Sequence, residues 1–258
     1  MKTNLLRIIL VLMVWLSFNT SQAQQLNHEL GVIIGPVGFR GDYGERGDAE
    51  TNFGNTGFGI GLSHYLNFAY SSRYNRYFNQ HFKVRTQLSF HKTNLEHYGV
   101  YVNSSSDNAF KLRAMTGSTS VFEIGTGLEW YWKDIREFET SANQITPYAG
   151  LGIGVAFADP INETSLPGRL GSKENTWHTF LPDGGPGGEP RVSSADLTTL
   201  ALNFQLGAKI KISDMSELSL EGRWHVYFDD MVEGLNPSSG NKYNDWIFWV
   251  GIGYIQYL

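Results

Sequence analysis

Hydrophobic and polar residues alternate strictly along parts of this chain. The segment HFKVRTQLSFHK places one kind of residue at every second position and the other kind between them: Phe82, Val84, Thr86, Leu88 and Phe90 against Lys83, Arg85, Gln87, Ser89 and His91. Successive side chains of a β-strand point to opposite sides of the sheet. The alternation therefore predicts a strand with two unlike faces.

Seven other segments show the same period of two. With His81–Lys92 they give eight predicted strands: Glu29–Phe39, Gly57–Tyr70, Ser120–Trp132, Pro147–Phe157, Thr199–Ile212, Leu218–Phe228 and Trp246–Leu258. Strands of ~10–14 residues are long for a globular sheet but suit a tilted strand that crosses a membrane. No sustained helical period is found, and the part after the N-terminus has no apolar run long enough for a membrane helix.

The connections between these strands alternate in length. Long connections follow the first, third, fifth and seventh strands, and the longest covers nearly 40 residues from Asp159 to Asp196. By contrast, only the four residues from Ser213 to Ser216 join the sixth strand to the seventh. This pattern predicts an all-β fold, an eight-stranded antiparallel transmembrane β-barrel with short periplasmic turns and long extracellular loops.

A secreted β-sandwich is the alternative fold. Its polar faces would be in water, yet here glycine takes every second position of Gly150–Gly154, which would make a poor wet surface. Glycine suits a crowded interior where the backbone approaches a long Arg or Lys side chain. A closed barrel also removes sheet edges that lipid does not tolerate. Aromatic residues near the predicted strand ends fit two girdles, periplasmic and outer: Trp130, Trp132, Tyr148 and Tyr254, then Phe157, Phe228 and Trp246.

The N-terminus and the composition define the compartment. Lys2 and Arg7 precede the apolar run Ile8–Leu16, and Ser21–Ala23 resembles a cleavage site. We interpret residues 1–23 as a signal peptide and residues 24–258 as one barrel domain. The predicted location is the outer membrane of a Gram-negative bacterium, where the lipid bilayer, lipopolysaccharide and, during biogenesis, the barrel-assembly machinery are the expected partners. A net charge of −5 argues against nucleic-acid binding.

The inward face of the barrel is the candidate site. An eight-stranded barrel is only wide enough to be filled by its own side chains. Both signs of charge occur on that face, so we expect a network of ion pairs and hydrogen bonds that plugs the lumen. Hairpin geometry places Lys209 and Lys211 near Glu217 and Glu221, and Lys83 or Arg85 near Glu129. The predicted lumen residues are Lys83, Arg85, Gln87, His91, Glu123, Glu129, Asn203, Gln205, Lys209, Lys211, Glu221, Arg223 and His225.

Catalytic and metal-binding motifs are weak. Ser63-His64 and Glu96-His97 are adjacent pairs without a nucleophile-elbow motif. The acidic first connection, with Asp42, Glu45, Asp48 and Glu50, fits no calcium-loop spacing, and we interpret it as a solvated charged loop. We therefore expect no enzyme, no cofactor and no metal site.

Two segments carry a family resemblance. HELGVIIGPVGFRGDYGER (28–46) and NTGFGIGLSHYLNFAY (55–70) resemble an uncharacterised family of small outer-membrane β-barrels in flavobacteria and other Bacteroidota. In size and architecture the chain is more distantly similar to porin-like barrels of the type IX secretion and gliding machinery. From the filled lumen and the long loops we expect a structural or protein-interaction role in the cell envelope, and the more distant similarity implies an association with secretion or surface machinery. A narrow channel and a lipid-modifying enzyme remain the alternatives.

Overall fold

Eight antiparallel strands form a closed barrel in which each strand pairs with its sequence neighbours and the first pairs with the last. The computed structural model describes residues 26–45, 48–71, 76–182, 191–237 and 244–258. It confirms the predicted fold class, while the predicted signal peptide lies outside the described residues. The strands are β1 (Asn27–Arg40), β2 (Thr56–Asn67), β3 (Phe82–Glu96), β4 (Met115–Tyr131), β5 (Ile145–Thr164), β6 (Leu197–Ser213), β7 (Ser216–Tyr227) and β8 (Trp246–Tyr257).

The two ends of the barrel carry different connections. Among the described residues, we call the end with 41–45, 48–55, 97–114, 165–182, 191–196, 228–237 and 244–245 the loop end, and the end with 68–71, 76–81, 132–144 and 214–215 the turn end. β5 continues to Thr164, so the longest connection is shorter than predicted from Asp159. Within the described part of the chain, no helix is long and apolar enough to cross a membrane.

The described parts of the connections contain four short helices, which the alternation of the sequence does not predict. They are α1 (Ala49–Gly54), α2 (Arg76–His81), α3 (Asp107–Ala114) and α4 (Ile135–Thr140). Six to eight residues are too few to show a helical period, and three of these helices are marked in the sequence by a capping residue. Asp48, Ser106 and Asp134 each accept a hydrogen bond from a backbone N–H of the first turn.

The outer surface of the barrel is apolar up to a sharp boundary. Phe90 lies opposite Phe122 in the strand register, and Phe122 lies opposite Phe157. One step further towards the loop end, the outward residues in register are Lys92, Ser120 and Asp159. The surface therefore changes from aromatic to polar at one level across three strands.

The height of the apolar surface can be read along β4. From Phe122 to the exposed Trp132 the chain rises ~33 Å at ~3.3 Å per residue. A strand tilt of ~40° reduces this to ~25 Å, the height of the apolar band of outer-membrane barrels. Tyr148, however, is buried and faces the interior, so its predicted place in the aromatic girdle is wrong. As an even-numbered residue of β5, it shares its face with Gly150 and Gly152, whereas Leu151 and Ile153 point outward.

The interior has a polar half towards the turn end and an apolar half towards the loop end. The apolar half is a core that includes Val37, Phe39, Val121 and Trp249, which joins side chains from the connections such as Leu235. This differs from the expectation of a polar lumen along its full length. The cause is that the inner faces of β1 and β8 carry large apolar side chains between their glycines.

Helix α4 closes the turn end. Ile135 and Phe138 are fully buried, and Ile135 packs in a cluster with Ala69, Tyr131 and Tyr148. Their spacing of three places both side chains on the same side of the helix. A connection that the sequence predicted as a plain turn is therefore a lid over the barrel.

Candidate functional site

The thirteen predicted lumen residues all face the interior. They lie on β3, β4, β6 and β7, and none is more than 6% exposed. Residues on these strands alternate between the lumen and the apolar outer surface, as the period of two requires. What the structure adds is the partner of each side chain.

Glu129 is the centre of the polar half. It accepts hydrogen bonds from Arg85 Nη1 at 2.8 Å, Lys209 Nζ at 3.0 Å, Gln205 Nε2 at 3.1 Å and the Tyr131 hydroxyl at 3.0 Å. Two cations and two neutral donors thus surround one buried carboxylate. Hydrogen bonds to charged groups are stronger than neutral ones, which favours this arrangement over an unpaired charge.

Glu221 forms a second centre that shares Arg85 with Glu129. Arg85 Nη1 also lies 3.1 Å from Glu221 Oε2, and Arg223 and the Tyr148 hydroxyl donate to the same carboxylate. Arg223 Nη1 donates in addition to Gln87 Oε1 at 2.9 Å. The planar guanidinium of Arg85 therefore links Glu129 and Glu221 across the lumen.

A third cluster lies beneath the α4 lid. Lys83 Nζ lies 2.6 Å from Glu29 Oε1 and 3.0 Å from Glu139 Oε1. The Asn67 amide donates to the same two oxygens, at 3.1 and 2.7 Å. In the register Lys83 is opposite Glu129, as expected, but its side chain turns towards the turn end instead. The lid is thus held by an ion pair as well as by apolar packing.

Sequence reasoning missed Glu29 and Glu139 as lumen residues. Glu29 was placed at the start of the first strand without a face, although its odd number puts it in phase with Ile33. Glu139 lies in a connection, where no alternation exists. The sequence does hold a signal for it, since Asp134 is a helix cap and Ile135, Phe138 and Glu139 share one helix face.

The two lysines of β6 have different surroundings. Lys209 lies 3.5 Å from Glu217 Oε1 and also contacts Glu129 and the Tyr131 hydroxyl. Lys211 donates to the Asp214 carbonyl at 2.9 Å and lies 3.7 Å from the centre of the Tyr257 ring. Lys211 therefore belongs to the turn beside the lumen rather than to the central clusters.

The layer next to the apolar half is only partly paired. Glu123 accepts from Asn203 Nδ2 at 2.5 Å and contacts His225 Nδ1 at 2.8 Å. His91 is different, because neither of its ring nitrogens has a hydrogen-bond partner within the described part of the protein. Its ring instead lies edge-on to His225 and Trp249, with centroids 4.8 Å apart in both cases. The sequence predicts a hydrogen-bonded His91, and this is wrong. The Trp249 ring packs against the imidazole in place of a polar side chain.

Glycines make room for this packing. A Cβ added at Gly150 would overlap the Gln205 amide, and one at Gly154 would lie 2.9 Å from Glu123 Oε1. The crowding was predicted, but the groups that approach are an amide and a carboxylate rather than Arg or Lys. Beside Arg85 and Gln205 the remaining cavity is about 10 Å³, at the lower limit for one water molecule.

The residues considered for catalysis do not assemble into a site. Ser63 is buried and accepts a hydrogen bond from Arg85 Nε at 3.1 Å. His64 follows it on the other face of β2 and lies 2.9 Å from His28. Adjacent strand residues point to opposite sides, so this serine and histidine do not meet.

His97 lies at the loop end in an apolar setting. Its Nδ1 accepts from the Gly44 backbone N–H at 3.1 Å, and its ring centroid is 4.7 Å from that of Tyr43. Burial lowers the pKa of the His97 imidazole from 6.5 to about 3. The histidine is therefore neutral in the folded protein at ordinary pH.

No protein-family model matches this sequence, and no curated protein matches it. Solved structures do resemble the barrel. Neisserial surface protein A is 10% identical over 89% of this chain and 96% of that chain, with a TM-score of 0.45. The attachment invasion locus protein Ail of Yersinia pestis is 9% identical over 90% and 99%, with a TM-score of 0.41. A major outer membrane protein from Thermus thermophilus is 11% identical over 91% and 100%, with a TM-score of 0.45. These values are too low to transfer a role from any of these proteins to this chain.

Glu129→Gln should destabilise the barrel strongly, because Arg85 and Lys209 lose their shared buried anion. We expect the free energy of unfolding, measured with urea in detergent micelles, to fall by about 3–5 kcal/mol. The exposed Glu163→Gln is the matched control and should change little. Adding Lys209→Met to Glu129→Gln should restore part of the loss, since one unpaired cation is then removed; a loss no greater than that of the control would contradict the central role of Glu129.

Lowering the pH should destabilise the loop end, because protonation of His97 is disfavoured in the folded protein. The unfolded chain takes up a proton near pH 6.5, whereas folded His97 resists it until about pH 3. Stability from this residue is complete above about 6.5 and falls by about 1.4 kcal/mol per pH unit below it. Hydrogen exchange of the Gly44, Glu45 and Thr51 amides should show this slope. His97→Gln keeps an acceptor for Gly44 and should remove the slope, while the exposed His28→Gln should keep it; equal slopes in all three proteins would contradict the assignment.

Proposed function

We propose that this chain is an outer-membrane β-barrel of a Gram-negative bacterium that acts as a structural or protein-binding component of the envelope. The proposal rests mainly on the distribution of side chains, which is the reverse of that in a water-soluble protein. Hydrocarbon and aromatic side chains cover the outside of the barrel, and paired charges lie inside it. Only a lipid surround makes such an exterior favourable, and a closed barrel leaves no backbone edge in that lipid.

The filled interior favours a role other than transport. Three successive layers block the described part of the lumen. Ile135 and Phe138 cover the turn end, the cluster around Glu129 fills the centre, and Val232 and Leu235 belong to the core at the loop end. The proposal includes no catalytic role, because the candidate nucleophile Ser63 accepts a hydrogen bond from Arg85 instead of contacting a histidine.

The loop end offers a surface for a partner. Beyond the polar boundary it exposes four large apolar side chains, Phe53 at 81%, Val100 at 71%, Tyr101 at 58% and Phe110 at 55%. A cleft of about 450 Å³ opens beside Asp196 and Asp229. Exposed apolar groups framed by polar residues are typical of interaction sites. The resemblance to secretion and gliding barrels supports an envelope complex as the setting.

Leu88→Arg should impair membrane insertion, because residue 88 points outward in the apolar band. We expect a loss of about 2–4 kcal/mol in the free energy of folding into lipid vesicles. Asn94→Arg lies on the same strand and face but beyond the polar boundary, and it should insert normally. If both variants folded equally well, the outer surface of β3 would not face lipid.

The barrel should conduct almost no ions in planar lipid bilayers, since its lumen is blocked at three levels. Single-channel recording of the purified protein, with an open porin as the positive control, measures this directly. Large ohmic steps that scale with salt would overturn the closed lumen and favour the channel alternative.

A protein partner should depend on the exposed apolar groups of the loop end. We expect cross-linking and affinity purification from gently solubilised outer membranes to recover a specific envelope protein with the wild type. Tyr101→Ser combined with Phe110→Ser should lose it while the barrel still folds. The turn-end variant Tyr77→Ser is the control. Equal recovery with all three proteins, or no specific protein with any of them, would count against binding through these loops.

A further inference from the structure

Three buried carboxylates meet where the barrel closes. Asp42 follows β1, Asp245 immediately precedes β8, and Glu233 comes from the connection before β8; their exposures are 7%, 0% and 0%. The β1–β8 pair is the seam that closes the sheet, and its outermost pair joins Arg40 to Trp246. The acidic cluster therefore stands at the loop end of the seam.

The oxygens of this cluster are close enough to share one ion. One carboxylate oxygen from each of Asp42, Glu233 and Asp245 lies within 4.8 Å of the other two. Calcium binds oxygen at 2.3–2.6 Å, so oxygens on opposite sides of the ion are up to about 4.6–5.2 Å apart. Carboxylates are also the donors that hard divalent cations prefer.

Hydrogen bonds hold these carboxylates in place. Glu233 Oε1 accepts from the Asp42 backbone N–H at 2.5 Å, and Asp245 Oδ2 accepts from the Val232 N–H at 3.0 Å. The same segment is fastened to the barrel wall, because Thr119 Oγ1 donates to the Val232 carbonyl at 2.7 Å and Asn162 Nδ2 donates to the Glu233 carbonyl at 3.1 Å. Two connections and two strands therefore hold the three carboxylates in position.

A separate observation points to a ligand. Among the described residues, Glu233 Oε2 is completely buried and accepts no hydrogen bond from an N–H group or a hydroxyl, and Glu233 forms no ion pair with Lys or Arg. Glu129 in the lumen has two such partners. A Cβ at Gly41 would overlap the Glu233 carboxylate, so the backbone at Gly41 passes close to this group. A buried carboxylate oxygen without a donor is costly unless a cation or proton meets it.

We propose that Asp42, Glu233 and Asp245 bind one divalent cation, with Ca²⁺ as the preferred ion, and that this ion fastens the loop end of the β1–β8 seam. The site was not predicted, because its carboxylates are up to 203 residues apart and the acidic first connection seemed to be a solvated loop. The inference does not depend on the proposed role of the barrel.

A shared proton is the competing explanation. Burial, followed by the nearby Asp245 carboxylate, raises the pKa of the Glu233 carboxyl well above its usual range. One proton would bridge only two of the oxygens, whereas a cation would ligate one oxygen from each of the three carboxylates. Direct measurement of ion binding separates the two explanations.

The test uses the full barrel in detergent micelles, stripped with a chelator and titrated with Ca²⁺ or Mg²⁺ by calorimetry at neutral pH. We expect one Ca²⁺ per chain, weaker Mg²⁺ binding, and a melting temperature that rises with Ca²⁺ concentration. Glu233→Gln and Asp245→Asn should each weaken Ca²⁺ binding by ~10-fold or more. The exposed Asp196→Asn, also at the loop end, should bind like the wild type.

Absence of binding by the wild type at millimolar Ca²⁺ and Mg²⁺ would overturn the proposal and leave the shared proton as the explanation. Binding that is unchanged in both ligand variants would place the ion elsewhere and would overturn it equally. If Glu233→Gln and Asp245→Asn fail to fold, Asp42→Asn supplies the same comparison, and the wild-type titration remains decisive without any variant.

Discussion

The lumen of an eight-stranded barrel is too narrow to hydrate the charges within it, so each charge must meet another side chain. This constraint governs the interior. Arg85 reaches both Glu129 and Glu221, and Lys209 reaches Glu129 and Glu217, so that cations and anions alternate across the polar half. Buried ion pairs add little net stability compared with apolar packing, but removing one partner is severely destabilising. The network therefore acts mainly to define a single arrangement of the strands.

The same constraint explains why the two ends are closed in different ways. At the turn end, Lys83 would be exposed to water if helix α4 were absent. Helix α4 covers Lys83 and also supplies the Glu139 carboxylate that pairs with it. At the loop end the interior is apolar, and the connections complete a hydrophobic core around Trp249. Glu233 is buried beside that core with no Lys or Arg partner among the described residues, in contrast to the carboxylates of the polar half.

The sequence predicts the strands and their faces because a period of two is a direct consequence of strand geometry. It predicts Lys83 and Arg85 as interior residues for the same reason. It does not predict the partner of Lys83, since Glu139 comes from a six-residue helix with no detectable period. The sequence does not predict the apolar half of the interior either. Trp249 faces inward and Phe248 faces outward, but both are apolar, so hydrophobicity does not distinguish the two faces of β8. The cluster of Asp42, Glu233 and Asp245 cannot be predicted from the sequence pattern either, because it depends on how the first and last connections meet in the folded barrel.

The ion network also has a consequence for assembly. Arg85 and Glu221 are 136 residues apart in the chain, and Glu129 joins β4 to both β3 and β6. A half-inserted sheet with only the first five strands would keep the Arg85–Glu129 pair but would lack Glu221 and Lys209, and it would expose this pair on the open face of a sheet in lipid. Such an intermediate is unstable in a bilayer, whereas the complete set of strands is not. The ion network therefore favours insertion of all eight strands together over insertion of part of the sheet.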